Sequence, residues 1–171
     1  MGDLGAPDAT VAAALESVLK LCAEGACDIS HAELTEAIAI CGAHTPGLIA
    51  ALKLYTLEFK GTSVYKALNE ALRSKVRARC APFERYTRML THAMLAAPIF
   101  EGTKVYRGVR EDLRSTYKKG AVVTWPGFTS CTCSLEVQQN EQYCGTRGDR
   151  TLFVITLTQG RARSIAGISM V

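Results

Sequence analysis

The sequence lacks several features that would assign it to a specialised class of proteins. None of its apolar runs reaches the roughly 18 residues of a transmembrane helix. The N-terminus, Met1-Gly2-Asp3-Leu4-Gly5, is neither basic nor followed by the apolar run of a secretory signal. We therefore expect a cytoplasmic protein that does not bind membranes.

The sequence also has no large excess of positive or negative residues. The 20 Lys and Arg residues exceed the 16 Asp and Glu residues only enough for a net charge of +4. This excess suits an anionic ligand, but it is too small and too scattered to indicate nucleic-acid binding. The three histidines all lie in predicted helices or at a helix cap, so a nucleophilic triad has little support.

The seven cysteines are an odd number without a secretory signal, which predicts reduced and mostly buried thiols. Cys131, Cys133 and Cys144 do not have the spacing of a zinc ribbon, and no fourth ligand is close in sequence. We therefore expect no metal site.

The chain has 171 residues, 48% of them hydrophobic, which fits one domain with a core. Apolar periodicity predicts five helices in the first half. The first two helices cover 11–25 and 30–42. The third begins at Thr45-Pro46, the fourth after Gly61-Thr62-Ser63, and the fifth at about Pro82. The inner faces of the last three should carry Leu48, Ile49, Leu52 and Tyr55; Val64, Tyr65, Leu68, Leu72 and Val76; and Tyr86, Met89, Leu90 and Met94.

The second half is rich in β-type runs, which predicts an α+β domain with helices first and strands second. A short helix is expected over 134–142. Strands are expected at Val105-Tyr106, over 121–125, at Phe128-Thr129 and over 152–157.

Arg107 is the most informative single residue. It lies in an apolar β-type run, where its side chain can bind a phosphate or carboxylate with two parallel hydrogen bonds. Gly108 follows and would let a ligand touch the backbone. From this run alone, an edge-strand arginine paired with a glutamate is the favoured interpretation.

Three further polar residues are candidates for the same pocket. Ser130 has no histidine near it in sequence, so we expect it to orient another group by hydrogen bonding. Asn69 and Arg73 are four apart and share a helix face, which could supply a second anion contact or could simply be solvated.

In this order the segments resemble the mono-ADP-ribosyltransferase family, in the branch with arginine, serine and glutamate motifs. Polymerase-type relatives fit less well, because they have histidine where this chain has Arg107. The resemblance begins at about Tyr55 and rests on order and spacing. The segments that carry the resemblance are Tyr65 to Arg73 with Asn69, Val105-Tyr106-Arg107-Gly108, and Phe128-Thr129-Ser130-Cys131-Thr132. In the last segment, Cys131 and Thr132 replace the usual Thr and Ser.

The resemblance implies N-terminal helices over 1–50, then a split β-sandwich over 51–171 that lacks its last strands and binds NAD in a cleft. Arg107 would hold the phosphate or ribose region, and Arg73 would add a phosphate contact with Asn69 close by. Gly108 would contact the nicotinamide amide. Phe128 would supply the aromatic position of the serine motif, and Ser130 would bind the catalytic glutamate and the nicotinamide ribose.

The reaction implied is transfer of ADP-ribose from NAD to a protein side chain, arginine first, with release of nicotinamide; NADP stays open as a donor. The alternative is a non-catalytic module that binds NAD or another protein. The family's third motif, Glu-x-Glu or Gln-x-Glu, is missing, since no acidic residue follows Asp149. We expect a fragment of a longer product rather than an inactive relative, and an aggregation-prone one, because its sheet edges would be exposed.

Overall fold

The computed structural model describes residues 47–58, 63–141, 143–158 and 162–169. The predicted helices over 11–25 and 30–42 lie outside these residues. The chain divides into two compact units, one built from the described parts of Met1–Pro98 and Arg163–Val171 and the other from those of Ile99–Ala162. No helix within the described ranges is both long enough and apolar enough to cross a membrane.

The first unit is helical. Its helices are α1 (Gly47–Thr56), α2 (Val64–Arg73), a 3-10 helix (Arg77–Phe83) and α3 (Glu84–Ala96). Helix α1 packs against α2 and α3, and the 3-10 helix contacts α2 and α3. The largest fully buried side chains of the chain's described part all lie in this unit: Tyr86, Phe83, Leu54, Leu68 and Leu90.

The helices predicted from periodicity are confirmed for the most part. The prediction is wrong at the C-terminal end of α2 and at the start of α3. Helix α2 ends at Arg73, so Val76 lies beyond it and is 59% exposed rather than on the inner face. The backbone turns there because the Ser74 hydroxyl accepts a hydrogen bond from the Val76 amide at 3.1 Å. Pro82 lies inside the 3-10 helix instead of at the start of α3.

The second unit contains an antiparallel pair of strands, β1 (Lys104–Val109) and β2 (Thr151–Thr156), with Arg107 opposite Phe153. The short helix α4 (Leu135–Gln139) contacts β1. The Ser134 hydroxyl caps α4 by accepting from the Val137 amide at 3.4 Å. These elements confirm the predicted first and last strands and the predicted helix, although Gln142 lies outside the described residues.

Two predicted strands are wrong. Residues 121–126 form no regular secondary structure, and Val122 is 98% exposed. A β-type composition describes residues that fit a half-buried pleated surface, and no strand in the described part of the chain pairs with this run. Phe128-Thr129 is likewise not a strand. The segment that contains it meets β1 further on, at an isolated antiparallel bridge between Tyr106 and Thr132.

The described residues therefore combine helices with a small antiparallel sheet, which agrees with the predicted α+β class. The split β-sandwich and the division between 1–50 and 51–171 stay predictions.

Candidate functional site

Arg107 and Ser130 are in contact, through the main chain of Ser130. The Nη1 atom of Arg107 donates a hydrogen bond to the Ser130 carbonyl at 2.9 Å. Within the described part of the chain no carboxylate forms an ion pair with Arg107, so the favoured glutamate pairing is not found there. The guanidinium is only partly covered, and its remaining N–H groups can serve a ligand.

The segment around Ser130 runs antiparallel to β1. Tyr106 and Thr132 exchange two main-chain hydrogen bonds, of 2.7 and 2.9 Å. Extending that register by two residues on each strand would put Gly108 opposite Ser130. The ladder stops before this pair, so the Gly108 amide and the Ser130 carbonyl bond to side chains instead of to each other.

Gly108 has its own structural reason to be glycine. A side-chain carbon added there would lie 2.3 Å from Cβ of Cys144, which is buried. Its amide donates to Oε1 of Gln138 at 2.6 Å. The contacts of Gly108 with Gln138 and Cys144 were not predicted, because both residues lie far from Gly108 in sequence and no motif links them to it.

Cys131 stands where the resemblance expects threonine. Partial desolvation raises the pKa of the Cys131 thiol above its ordinary value, while the charge of Arg107 acts in the opposite direction. A raised pKa disfavours the thiolate form of Cys131.

An aromatic cluster of Tyr117, Trp125 and Phe153 lies on the same sheet. Phe153 meets Tyr117 and Trp125 edge to face, with ring centroids 4.8 and 5.1 Å apart. The Trp125 indole N–H donates to the Tyr117 hydroxyl at 2.7 Å. Because Phe153 lies directly opposite Arg107, both side chains are on one face of the strand pair. Sequence reasoning missed this cluster because it assigned Trp125 to a strand.

Phe128 and Ser130 differ in exposure. Phe128 is half-buried and Ser130 is exposed. The Ser130 hydroxyl forms no hydrogen bond to another described residue, so it can reach a ligand beside Arg107 without first breaking a contact within that part of the protein.

Loops around the site are joined to the strands by arginines. Arg110 donates through Nε to the Tyr143 carbonyl at 2.8 Å, and Arg150 donates through Nη1 to the Cys144 carbonyl at 2.8 Å. Both acceptors lie in the turn that follows α4. These contacts fix the position of Cys144 against β1.

Asn69 and Arg73 belong to the first unit. Asn69 is buried, with its Nδ2 donating to the Tyr55 hydroxyl at 3.1 Å, so the solvated-face interpretation is wrong for this residue. Arg73 is exposed in the last turn of α2, where a positive charge complements the helix dipole. Their convergence with Arg107 and Ser130 on one ligand stays a prediction.

The described cysteines are free thiols: Cys80, Cys131, Cys133 and Cys144. Cys131 and Cys133 are exposed, so the prediction of mostly buried thiols is wrong for these two. In the same ranges no group of three or more His, Cys, Asp or Glu side chains is placed to hold a metal ion.

Comparison with known proteins identifies the family. A family model described as NAD:arginine ADP-ribosyltransferase matches residues 46–166, more than two-thirds of the chain. The matched range contains every residue assigned above to the candidate site. No curated protein and no solved structure matches the chain. The chain therefore belongs to the NAD:arginine ADP-ribosyltransferase family, whose general reaction is ADP-ribose transfer from NAD.

Proposed function

We propose that this protein binds NAD against the strand pair of its second unit and serves the transfer of ADP-ribose to arginine side chains of proteins. The observation that carries the proposal is the opened ladder beside Arg107. There a partly exposed guanidinium is bonded to the carbonyl of the exposed residue Ser130, within the range matched by the family. Phe153 of the aromatic cluster lies on the same face of the strand pair as Arg107.

The chemistry of NAD suits this arrangement. Its pyrophosphate carries negative charge, and a guanidinium binds phosphate oxygens with paired, charge-assisted hydrogen bonds. One N–H of Arg107 is used by the Ser130 carbonyl, which fixes the side chain and leaves the others for the ligand. We assign to Ser130 a hydrogen bond with the nicotinamide ribose, and to Phe128 an apolar contact with the ligand. We assign a further phosphate contact to Arg73, with Asn69 fixing the helix that carries it.

In the proposed reaction the bond between the ribose carbon and the nicotinamide nitrogen breaks. Nicotinamide leaves with the electron pair, and a guanidine nitrogen of the acceptor bonds to the ribose carbon and loses a proton. The transition state resembles an oxocarbenium ion, which a carboxylate stabilises. No acidic residue follows Asp149 in the sequence, so this role is assigned to no residue here. The proposed scaffold is a split β-sandwich that encloses the dinucleotide.

Calorimetric titration of the chain with NAD tests the proposal. We expect Arg107→Ala to weaken NAD binding about 10-fold to 100-fold, because charge-assisted hydrogen bonds contribute about 1.5–3 kcal/mol. Arg107→Lys should recover part of the loss, since lysine keeps the charge but cannot form the paired geometry. Arg114→Ala is the matched control, because Arg114 is an exposed arginine of the same unit whose partner is Asp112.

Two results would count against the proposal. One is wild-type protein that does not bind NAD, and the other is equal weakening by the Arg107 and Arg114 substitutions. Nicotinamide release in the same samples separates transfer from binding alone. A small guanidine compound as acceptor, compared with a primary amine, then tests the arginine specificity.

A further inference from the structure

The main-chain amide of Gly108 lies on the edge of β1 that faces away from β2. Tyr106 exchanges its hydrogen bonds with Thr132, so its N–H and C=O point away from β2. In an antiparallel strand, main-chain groups two residues apart point the same way. The Gly108 amide therefore points toward the segment of Ser130, at the place where the ladder has stopped.

Gln138 of α4 takes the position that the ladder leaves open. Its carboxamide oxygen accepts from the Gly108 amide at 2.6 Å, while the corresponding Ser130 carbonyl accepts from Arg107. A main-chain amide without any acceptor would be unfavourable, so Gln138 stabilises the strand edge in the absence of a ligand. Its side chain also covers Gly108, since Oε1 would lie 2.6 Å from an added Cβ.

The group that Gln138 presents to Gly108 is a primary carboxamide, which is also the polar group of the nicotinamide ring. We propose that Gln138 is an internal competitor, occupying the Gly108 amide until the carboxamide of NAD displaces it, and thereby sets the affinity for NAD and for the product nicotinamide. This inference rests on the proposed function, because it needs NAD to bind with its nicotinamide at Gly108.

Displacement of Gln138 requires little disruption of the second unit. Helix α4 has five residues and no fully buried side chain, so local movement breaks few apolar contacts. Cys144, which approaches the same Cβ position of Gly108 as Gln138, is buried, and its carbonyl accepts a hydrogen bond from Arg150. Gly108 is thus contacted by a side chain that can move, that of Gln138, and by one that is held in place, that of Cys144.

The test compares NAD with ADP-ribose, which lacks the nicotinamide carboxamide, in calorimetric titrations of the full chain. Gln138→Ala should lower the Kd for NAD by about threefold to tenfold, the range expected for removing one competing hydrogen bond. The same variant should leave the Kd for ADP-ribose within about twofold of the wild-type value. Gln138→Glu keeps the shape and strengthens the acceptor, so it should raise the Kd for NAD more than that for ADP-ribose.

Matched variants keep the result interpretable. Gln139→Ala removes the neighbouring, exposed glutamine of α4 and should change neither Kd. Gln138→Met keeps the length of the side chain without its carboxamide, and it should tighten NAD binding even if the alanine variant unfolds. Melting curves of each variant identify any loss of folding.

The outcomes distinguish this inference from the function on which it rests. If wild-type protein binds NAD, Arg107→Ala weakens binding as expected, and the Gln138 variants match the wild type, then the competitor role is overturned and the proposed function stands. Equal tightening toward NAD and ADP-ribose also overturns the competitor role. If neither the wild type nor Gln138→Ala binds NAD, both proposals are overturned.

Discussion

The helical first unit and the strand-containing second unit are stabilised in different ways. Among the described residues, all but two of the buried apolar side chains belong to the first unit, the exceptions being Val105 and Cys144. The second unit joins its loops to its strands by hydrogen bonds from side chains to the main chain, such as those of Arg107 and Arg110. One unit is organised by apolar burial and the other by polar contacts between distant segments.

This difference between the units accounts for the different exposure of the candidate site residues. In the first unit, burial places Asn69 inside the helical packing, bonded to Tyr55. In the second unit, the loops stay exposed and keep Arg107 and Ser130 accessible to a ligand. Loops that are held by a few polar contacts on a small rigid scaffold are common places for binding sites.

The largest expected effect tests the apolar packing of the first unit. Leu90 is 0% exposed, and Leu90→Ala should lower the free energy of unfolding by about 2–5 kcal/mol, through lost burial and the cavity left behind. Leu95 lies on the same helix and is 61% exposed, so Leu95→Ala should change it by no more than about 0.5 kcal/mol. Urea denaturation followed by circular dichroism measures both, and similar losses would contradict the assigned core.

A smaller effect is expected at the tight contact of the second unit. Gly108→Ala should destabilise that unit by about 1–3 kcal/mol, because the new methyl group would overlap Cβ of Cys144. Cys144→Gly removes that carbon, so the double variant should lose less stability than the sum of the two single variants. Hydrogen exchange of the β1 and β2 amides reports the change, and strict additivity would show that Cys144 is not the obstacle.

The smallest effect is expected at a surface ion pair. The Arg114 guanidinium, bonded to Asp112 at 2.7 Å, lowers the pKa of that carboxyl from 3.8 to about 2. A pKa that is lower in the folded state gives stability that is present above pH 3.8 and is lost as the pH falls toward 2. Both residues are exposed, so solvent screens the pair.

Asp112→Asn should therefore lower the melting temperature only slightly at pH 7, and the difference from wild type should disappear near pH 2. Melting temperatures of the two proteins across this range test the sign. A difference that grows as the pH falls would contradict it.

Much of the fold was predictable where burial follows a simple period. Leu68, Tyr86 and Leu90 were expected on inner faces from helical spacing, and all three are fully buried. The same logic failed at Val76, since a side-chain hydrogen bond of Ser74 ends the regular backbone first. It also failed over 121–125, a run of strand-like composition with which no strand among the described residues pairs.

The candidate site was predictable in its residue types but not in its contacts. Arg107 and Ser130 were recognised from sequence order, whereas the bond joins the arginine side chain to a carbonyl, a group that every residue has. Gln138 lies 30 positions after Gly108, and a lone glutamine in a polar helix carries no sequence signal. The position at which two paired segments separate in space decides which of their main-chain groups stay without a partner in the ladder.

Residue order alone is enough to predict the helical periodicity, the apolar strands at Arg107 and Phe153, and the ordered motifs of the family. These depend on local propensity and on residue order, which are properties of the chain. In contrast, the gap in the ladder between Gly108 and Ser130, and its occupation by Arg107 and Gln138, follow from the three-dimensional fold. Main-chain hydrogen bonding must be satisfied by whichever groups the fold brings near, however far apart they are in sequence.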